Sequence, residues 1–192
     1  VQSMIVFEDP SSIVTGLTGM KHLGAHLCGF GGSDGCVGWV DWRVSASAGY
    51  NFRSSGVTKL GGHQYPVISM SICPSSDDGL GGDVHDLFVS ADLGGEVFVW
   101  DMRMNSGPVG RMHSHTKSVL TTMTTHPTSR IIATGSAGHS VQTFGPHYQT
   151  TGMIPTGEGL HSKRRPLVTA LAFQPDAQLL AVGCADSTVM LY

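Results

Sequence analysis

Charged residues are scarce in this sequence, and the two signs nearly cancel. They make up 13% of the 192 residues, and the formal net charge at pH 7 is -3. Such a charged share is about half of the usual one. The balance gives no electrostatic reason to expect a nucleic acid or an anionic membrane surface as partner. No apolar run approaches the roughly 18 residues of a transmembrane helix, so we expect no transmembrane segment.

Features of secreted proteins are also missing. The first ten residues have neither a basic start nor a long apolar stretch, so we expect no signal peptide. The chain does not begin with Met, which suggests a fragment of a longer protein. No two cysteines have the CxxC spacing of a zinc site, and we expect reduced thiols in a cytoplasmic protein. The four cysteines are Cys28, Cys36, Cys73 and Cys184.

Glycine is abundant, with 26 residues, and 40% of the chain is hydrophobic. This composition favours many short strands separated by turns. Four segments each contain an apolar strand, a small or acidic turn, and a second strand with alternating apolar residues. Gly and Asp in these turns supply the positive φ angles that a tight hairpin needs. The segments are His26–Arg43, Leu87–Arg103, Ile131–Phe144 and Leu179–Tyr192.

Two further short strands precede each of these hairpins. The chain therefore divides into four units of four strands, about 40 to 50 residues each, which is the period of a propeller blade. Helices have little support, because no i, i+3, i+4, i+7 pattern lasts beyond two turns. A pair of β-sandwich domains would also give many short strands, but the regular four-strand period argues against it. We predict an all-β propeller with the repeats Ser3–Arg43, Val57–Arg103, Pro108–Phe144 and Gln149–Tyr192.

The second repeat resembles the WD-repeat family. Gly62-His63 and Trp100-Asp101 are the two dipeptide signatures of that family, in the right order. The resemblance implies a buried network that joins the His, a strand Ser or Thr, a turn Asp and the Trp. His63, Ser90 and Trp100 match this pattern.

The turn Asp of this repeat does not match. Gly94 occupies its position, and Asp92 stands two residues early. Asp34 and Asp186 do match in their own repeats, but those repeats lack the His and the Trp. We therefore expect the network to be complete in no repeat. The resemblance also implies that the first strand of each repeat forms the outer edge of the preceding blade.

Longer phrases across Ser12–Tyr192 look like the C-terminal WD-repeat region of the raptor family, the scaffold subunits of TOR kinase complex 1. They include GFGGSDGCVGWVDWR, VSADLGGEVFVWDMRM and VTALAFQPDAQLLAVGCADSTVMLY. The resemblance implies a cytoplasmic scaffold without a cofactor, recruited to a lysosome or vacuole surface. Such a scaffold helps to present substrates to a TOR-family kinase and relays nutrient signalling. WD-repeat rings usually have about seven blades, so four repeats suggest the C-terminal part of a larger ring.

Neither an enzyme nor a metal site is predicted. His113 and His115 are alternate residues that could share one face of a strand, but no third ligand is identifiable. Ser136 lies in the turn TGSAG, where Thr134 occupies the first glycine position of a nucleophile elbow. We expect no catalytic, cofactor-binding or metal-binding residues.

Basic residues offer two possible docking sites. Lys163, Arg164 and Arg165 end the segment GEGLHSKRR, which is either a solvated loop or a docking patch for an acidic partner. Arg43 and Arg103 each follow an Asp by two residues. A Trp-Asp-x-Arg pattern is typical of substrate receptors of cullin-RING ubiquitin ligases, which is the alternative function. An Asp-Arg pair at a strand end, worth little more than a surface ion pair, also explains the pattern.

Overall fold

The computed structural model describes residues 17–22, 27–41, 57–73, 87–101, 107–116, 118–156, 166–176 and 179–192. In this part of the chain all regular structure is β-strand, and no helix is long and apolar enough to cross a membrane. The strands are β1 Leu17–His22, β2 Leu27–Gly32, β3 Val37–Asp41, β4 Val57–Leu60, β5 Val67–Cys73, β6 Leu87–Asp92, β7 Glu96–Asp101, β8 Gly110–His113, β9 Leu120–Thr125, β10 Ile132–Ser136, β11 Ser140–Phe144, β12 Thr150–Pro155, β13 Val168–Phe173, β14 Leu180–Cys184 and β15 Val189–Leu191.

These strands form four antiparallel sheets, each a blade of consecutive strands. Blade 1 is β1-β2-β3-β4, blade 2 is β5-β6-β7-β8, and blade 3 is β9-β10-β11-β12. Blade 4 contains β13-β14-β15 within the described residues. The predicted all-β propeller architecture is confirmed. The first residues of the predicted repeat Ser3–Arg43, up to residue 16, lie outside the described residues.

The offset between repeat and blade is also as predicted. Val57–Leu60, the first strand of the second repeat, pairs with β3 and forms the outer edge of blade 1. Gly110–His113 and Thr150–Pro155 likewise form the outer edges of blades 2 and 3. The predicted hairpin of Leu87–Ala91 with Glu96–Asp101 is present as β6 and β7.

Among the described residues the hydrophobic core forms three layers, one between each pair of adjacent blades. In β7 the alternation of side chains sends Val97 and Val99 toward blade 3, and Phe98 and Trp100 toward blade 1. Trp100 is fully buried. Between blades 3 and 4, Ala133 and Val141 pack against residues of β13 and β14. Each blade is therefore held by side chains of its neighbours rather than by a core of its own.

Small residues at one repeated position let the blades approach closely. Gly31, Ala91 and Gly135 each pair with the first valine of the third strand of their blade. A Cβ at Gly135 would lie 2.5 Å from Val168 Cγ1 of blade 4, and a Cβ at Gly31 would lie 2.5 Å from Val67 Cγ1 of blade 2. Gly183 is the equivalent residue of blade 4, paired with Val189.

Hydroxyl groups connect the innermost strands of adjacent blades. Ser69 Oγ of β5 donates to the Met123 carbonyl of β9 at 3.1 Å. Ser71 Oγ lies 2.7 Å from Thr125 Oγ1. Thr121 Oγ1 of β9 donates to the Val168 carbonyl of β13 at 2.6 Å. Side chains therefore bond β5 to β9 and β9 to β13, although these strands belong to different sheets.

Candidate functional site

A buried polar network lies in blade 2, where the loop before β5 meets β6 and β7. Trp100 Nε1 donates a hydrogen bond to Ser90 Oγ at 2.8 Å. Ser90 Oγ and His63 Nε2 lie 2.7 Å apart. An indole N–H can only donate, so the Ser90 hydroxyl keeps its own proton for His63 Nε2. This direction of bonding leaves the ring proton of His63 on Nδ1.

Asp92 lies beside His63, at the place in this network that the family pattern gives to the turn Asp. Asp92 Oδ2 lies 3.1 Å from His63 Nδ1, and both side chains are fully buried. The two atoms form no hydrogen bond with each other, and neither has a hydrogen-bond partner elsewhere. Asp92 Oδ1 accepts the Glu96 N–H at 2.9 Å, which fixes the carboxylate against the turn.

The aromatic ring of Tyr65 explains why Asp92 and not residue 94 supplies the carboxylate. A Cβ at Gly94 would overlap that ring, so an aspartate cannot stand there unless Tyr65 moves. Asp92 follows Ser90 by two residues on β6, and alternate residues of a strand point to the same face. The carboxylate therefore reaches His63 from the strand end instead of the turn.

The His63 imidazole has a lowered pKa and is uncharged at pH 7. Burial lowers its pKa below the usual 6.5, and the neighbouring Asp92 carboxylate opposes this shift. The imidazole also stacks on the Phe98 ring, with centroids 4.3 Å apart and planes at 17°. The network connects the loop before β5 to both strands of the β6–β7 hairpin.

One group of three metal-ligand side chains occurs among the residues that the structure describes. It consists of His63, Asp92 and Glu96, whose ligand atoms lie within 4.8 Å of one another. His63 Nε2 is already hydrogen-bonded to Ser90, and Asp92 Oδ1 already accepts the Glu96 N–H. The arrangement therefore fits a hydrogen-bonded network better than a metal site.

Blade 3 contains a neutral version of the same network, which the sequence comparison missed. His115 Nε2 lies 3.1 Å from Thr134 Oγ1, and Thr134 is the equivalent of Ser90. His115 Nδ1 lies 3.4 Å from Ser140 Oγ. Burial lowers the pKa of His115. Ser136 stands where Asp92 stands in blade 2, so no carboxylate faces this imidazole. His113 is exposed, so the two histidines do not share one environment.

The other aspartates singled out from the sequence have local roles. Asp34 Oδ1 accepts the Cys36 N–H at 3.0 Å. Asp186 Oδ1 accepts the Thr188 hydroxyl at 2.6 Å, and this bond lowers the Asp186 pKa. Both aspartates are exposed and cap hairpin turns. Asp101 is buried at the end of β7 beside Trp100, so its side chain points to the opposite face.

The predicted docking residues lie outside the described part of the chain and stay predictions. They are Lys163, Arg164, Arg165, Arg43 and Arg103.

The two His networks lie beneath one face of the blades, which we call the upper face. In the described part of the chain it is formed by the residues just before β5, β9 and β13 and by the turns between the second and third strands of each blade. Backbone bonds join each loop to its turn: Leu93 N to Pro66 O at 2.9 Å, Ala137 N to Val119 O at 2.9 Å, and Ala185 N to Leu167 O at 3.0 Å. The loops of the upper face are thus held by the buried His networks beneath them and by backbone hydrogen bonds to the neighbouring turns.

Comparisons with known proteins agree with this architecture. The family model "WD domain, G-beta repeat" matches residues 106–144 and 159–192. The target of rapamycin complex 1 subunit mip1 of Schizosaccharomyces pombe is 30% identical over 95% of the chain and 13% of its own length. Telomerase protein component 1 of Mus musculus is 30% identical over 68% of the chain and 4% of its own length. The crystal structure of Chaetomium thermophilum Raptor matches with a TM-score of 0.69 at 21% identity, over 92% of the chain and 14% of that chain. The chain thus spans a small part of these proteins.

Proposed function

The chain belongs to the WD-repeat family and resembles the WD-repeat region of raptor, and from this premise we propose that it is a non-catalytic scaffold of a TOR kinase complex. In this role it helps to present substrates to a TOR-family kinase and to relay nutrient signalling. The name of the S. pombe relative, a subunit of target of rapamycin complex 1, supports the proposal. A cytoplasmic location, with recruitment to a lysosome or vacuole surface, is part of the same proposal.

The observation that carries a scaffold role is the use of the buried polar groups. Ser90 is hydrogen-bonded to both Trp100 and His63, and His63 also lies 3.1 Å from Asp92, so these contacts hold the loop before β5 to the β6–β7 hairpin. These groups are buried, so they stabilise the loops above them and are not exposed to a substrate. A rigid set of loops above a propeller is suited to binding other proteins.

The basic segment Lys163-Arg164-Arg165 is proposed as one contact for an acidic partner. Its support is the sequence, in which three adjacent cations precede β13. Charge of this kind mainly accelerates encounter and adds less to affinity.

A larger ring is proposed for the assembled protein. Val189 is 70% exposed, whereas Val97 and Val141 at the equivalent places of blades 2 and 3 are 0% exposed. Leu191 on the same strand is 63% exposed. A further blade that packed on blade 4 as blade 4 packs on blade 3 would cover both side chains.

Co-precipitation from cells tests the scaffold role. The protein at its natural length is tagged, and the precipitate is probed for the TOR kinase and for a cullin-RING adaptor. We expect the TOR kinase, with less recovered at low salt when Lys163, Arg164 and Arg165 are changed to Glu. The matched control changes Lys21, Lys59 and Arg130 to Glu, which alters the same amount of charge at other positions of the chain. Absence of the TOR kinase would overturn the proposal, and recovery of the adaptor instead, dependent on Arg103, would favour the ubiquitin-ligase function.

A further inference from the structure

The buried His networks of blades 2 and 3 differ in one group, the carboxylate. In blade 2, Asp92 Oδ2 lies 3.1 Å from His63 Nδ1, and both side chains are fully buried. In blade 3, the strand register puts Ser136 at the place of Asp92 and Thr134 at the place of Ser90. A positive charge on the imidazole therefore has a buried counter-charge in blade 2 and, among the described residues, none in blade 3.

Hydrogen bonds fix the tautomer of His115 in blade 3. Its Nε2 lies 3.1 Å from the Thr134 carbonyl oxygen, which can only accept, so Nε2 carries the ring proton. Nδ1 is then the acceptor, and it lies 3.4 Å from Ser140 Oγ. The imidazole is buried, and burial lowers its pKa. A proton added at Nδ1 therefore enters a buried site in which the Ser140 hydroxyl has been the donor.

Hydroxyl groups connect His115 to the turn between β10 and β11. Ser140 Oγ lies 3.4 Å from Ser136 Oγ, and Ser136 Oγ accepts the Gly138 N–H at 3.2 Å. When His115 Nδ1 gains a proton, Ser140 Oγ has to accept from it and turns its own proton away, toward Ser136. A change of charge at the imidazole therefore reaches the hydroxyl that holds the Gly138 N–H.

This turn of blade 3 is held closed against backbone strain. His115 and His139 have φ angles of 54° and 65°, a region that residues with a side chain rarely adopt. The Ala137 N–H donates to the Val119 carbonyl at 2.9 Å, which joins the turn to the residues before β9. In blade 2 the place of His139 is taken by Gly95, at a φ of 96° that costs a glycine little. Opening therefore relieves strain in blade 3 and not in blade 2.

Few titratable groups surround His115 in the part of the chain that the structure describes. The partners of its ring on β10 and β11 are Thr134 and Ser140, which are both uncharged. The turn adds His139, whose Nδ1 is buried without a hydrogen-bond partner, and β8 adds His113, which is exposed. Burial and the bond to Thr134 set the pKa of His115, and no charged neighbour contributes.

We propose that the turn between β10 and β11 is a proton-sensitive element of the upper face, which opens when His115 is protonated while the equivalent turn of blade 2 stays closed. In the open turn the imidazole is exposed, and its pKa returns to about 6.5. The open turn therefore binds a proton more readily than the closed one, and opening is favoured as the pH falls below about 6.5. The inference does not rest on the scaffold function proposed above, and it adds a regulatory property to the upper face.

Hydrogen exchange followed by mass spectrometry tests this inference on the protein at its natural length. Protection factors, corrected for the intrinsic pH dependence of exchange, are compared at pH 7 and pH 5. We expect the protection of residues 134–140 to fall about tenfold, and by no more than about 25-fold, the limit that one histidine with an open-state pKa of 6.5 sets. Residues 90–96 should keep most of their protection, because Asp92 compensates a charge on His63.

Two variants of blade 3 test the cause. His115→Gln has no titratable ring, so the protection of residues 134–140 should become independent of pH. Ser136→Asp gives blade 3 the carboxylate that Asp92 supplies in blade 2, so the turn should stay closed at pH 5. The matched control is His113→Gln, which removes an exposed imidazole two residues away and should leave the pH dependence unchanged.

Four results would overturn the inference. They are unchanged protection of residues 134–140 at pH 5, an equal loss in residues 90–96, opening of Ser136→Asp at pH 5 to the same extent as the unchanged protein, and a pH dependence that survives in His115→Gln but disappears in His139→Gln. None of these measurements involves the TOR kinase. Failure of the scaffold function in the co-precipitation would therefore leave this inference intact.

Discussion

Replacement of Gly135 by Ala will weaken the packing of blade 3 on blade 4. The new Cβ would lie 2.5 Å from Val168 Cγ1, 3.0 Å from Val168 Cβ and 3.1 Å from Thr122 Cγ2. Real Cβ contacts are longer than this, and Val168 is fully buried and belongs to a β-branched type that is stiff at χ1. Either β13 must shift outward, or Val168 must leave its preferred rotamer.

Gly183→Ala is the matched control for this change. Gly183 holds the same repeat position in blade 4, and its nearest neighbour for a new Cβ is Ala170 Cβ at 3.4 Å, an ordinary contact. Both substitutions remove the same backbone freedom of glycine, worth about 0.5–1 kcal/mol, so this gain cancels between them. The overpacking cost remains, and it makes Gly135→Ala less stable than Gly183→Ala by about 1–3 kcal/mol.

Urea unfolding of the two variants, followed by tryptophan fluorescence, measures this difference. The double variant Gly135→Ala, Val168→Ala should recover part of the loss, because the clashing methyl group is gone, and the coupling free energy should be favourable. Equal stability of the two single variants would refute the reasoning, as would strict additivity in the double variant. In a longer protein with a further blade on blade 4, Gly183→Ala should become costly as well.

Three further predictions concern the networks and turns. Ser90→Ala removes the hydroxyl between Trp100 and His63. It should lower the free energy of unfolding in urea by about 1–3 kcal/mol, because two buried polar groups lose their partner. A smaller decrease than the one that Ser69→Ala causes would contradict this. His63 and His115 have lowered pKa values in the folded state, so the unfolded chain binds more protons below its own pKa of 6.5. The free energy of unfolding should be constant above about pH 6.5 and fall as the pH decreases from there, by up to about 1.4 kcal/mol per pH unit for each histidine. Calorimetry from pH 5 to 8 measures this slope. The variant His115→Gln should make the slope smaller. His139 has a φ of 65° in its turn, so His139→Gly should raise the thermal midpoint, and a lower midpoint would show that its side chain contributes more than its backbone strain costs.

The architecture could be predicted because its signals are local. The turn of the second repeat, with Gly95 at a φ of 96°, is marked by two glycines between alternating apolar strands. In the fourth repeat Ser187 adopts a φ of 67° in the same place, and the flanking alternation still marks the hairpin. The strand period of four then predicts the blades, because each blade is made of consecutive strands.

The composition of the network could not be predicted from alignment by position. Alignment assigns the turn Asp to residue 94. The Tyr65 ring occupies the space that a side chain at residue 94 would need, and Tyr65 is distant from it in sequence. Strand alternation between Ser90 and Asp92 was the available signal. His115 and Thr134 were missed because no tryptophan or aspartate marks their repeat, and only the folded loop brings the imidazole to the strand.

The side-chain hydroxyls between inner strands have a mechanical consequence. A protein that is held by two partners on different blades transmits tension from one blade to the next. The bonds of Ser69 to Met123 and of Thr121 to Val168 run across the seam between blades, so they resist sliding of one inner strand along another. At the seam between blades 2 and 3, the contact of Ser71 with Thr125 lies beside the bond of Ser69 to Met123, so the two share a load applied along that seam. The apolar layers alone would let neighbouring blades slip, whereas these hydroxyls fix their registry under force.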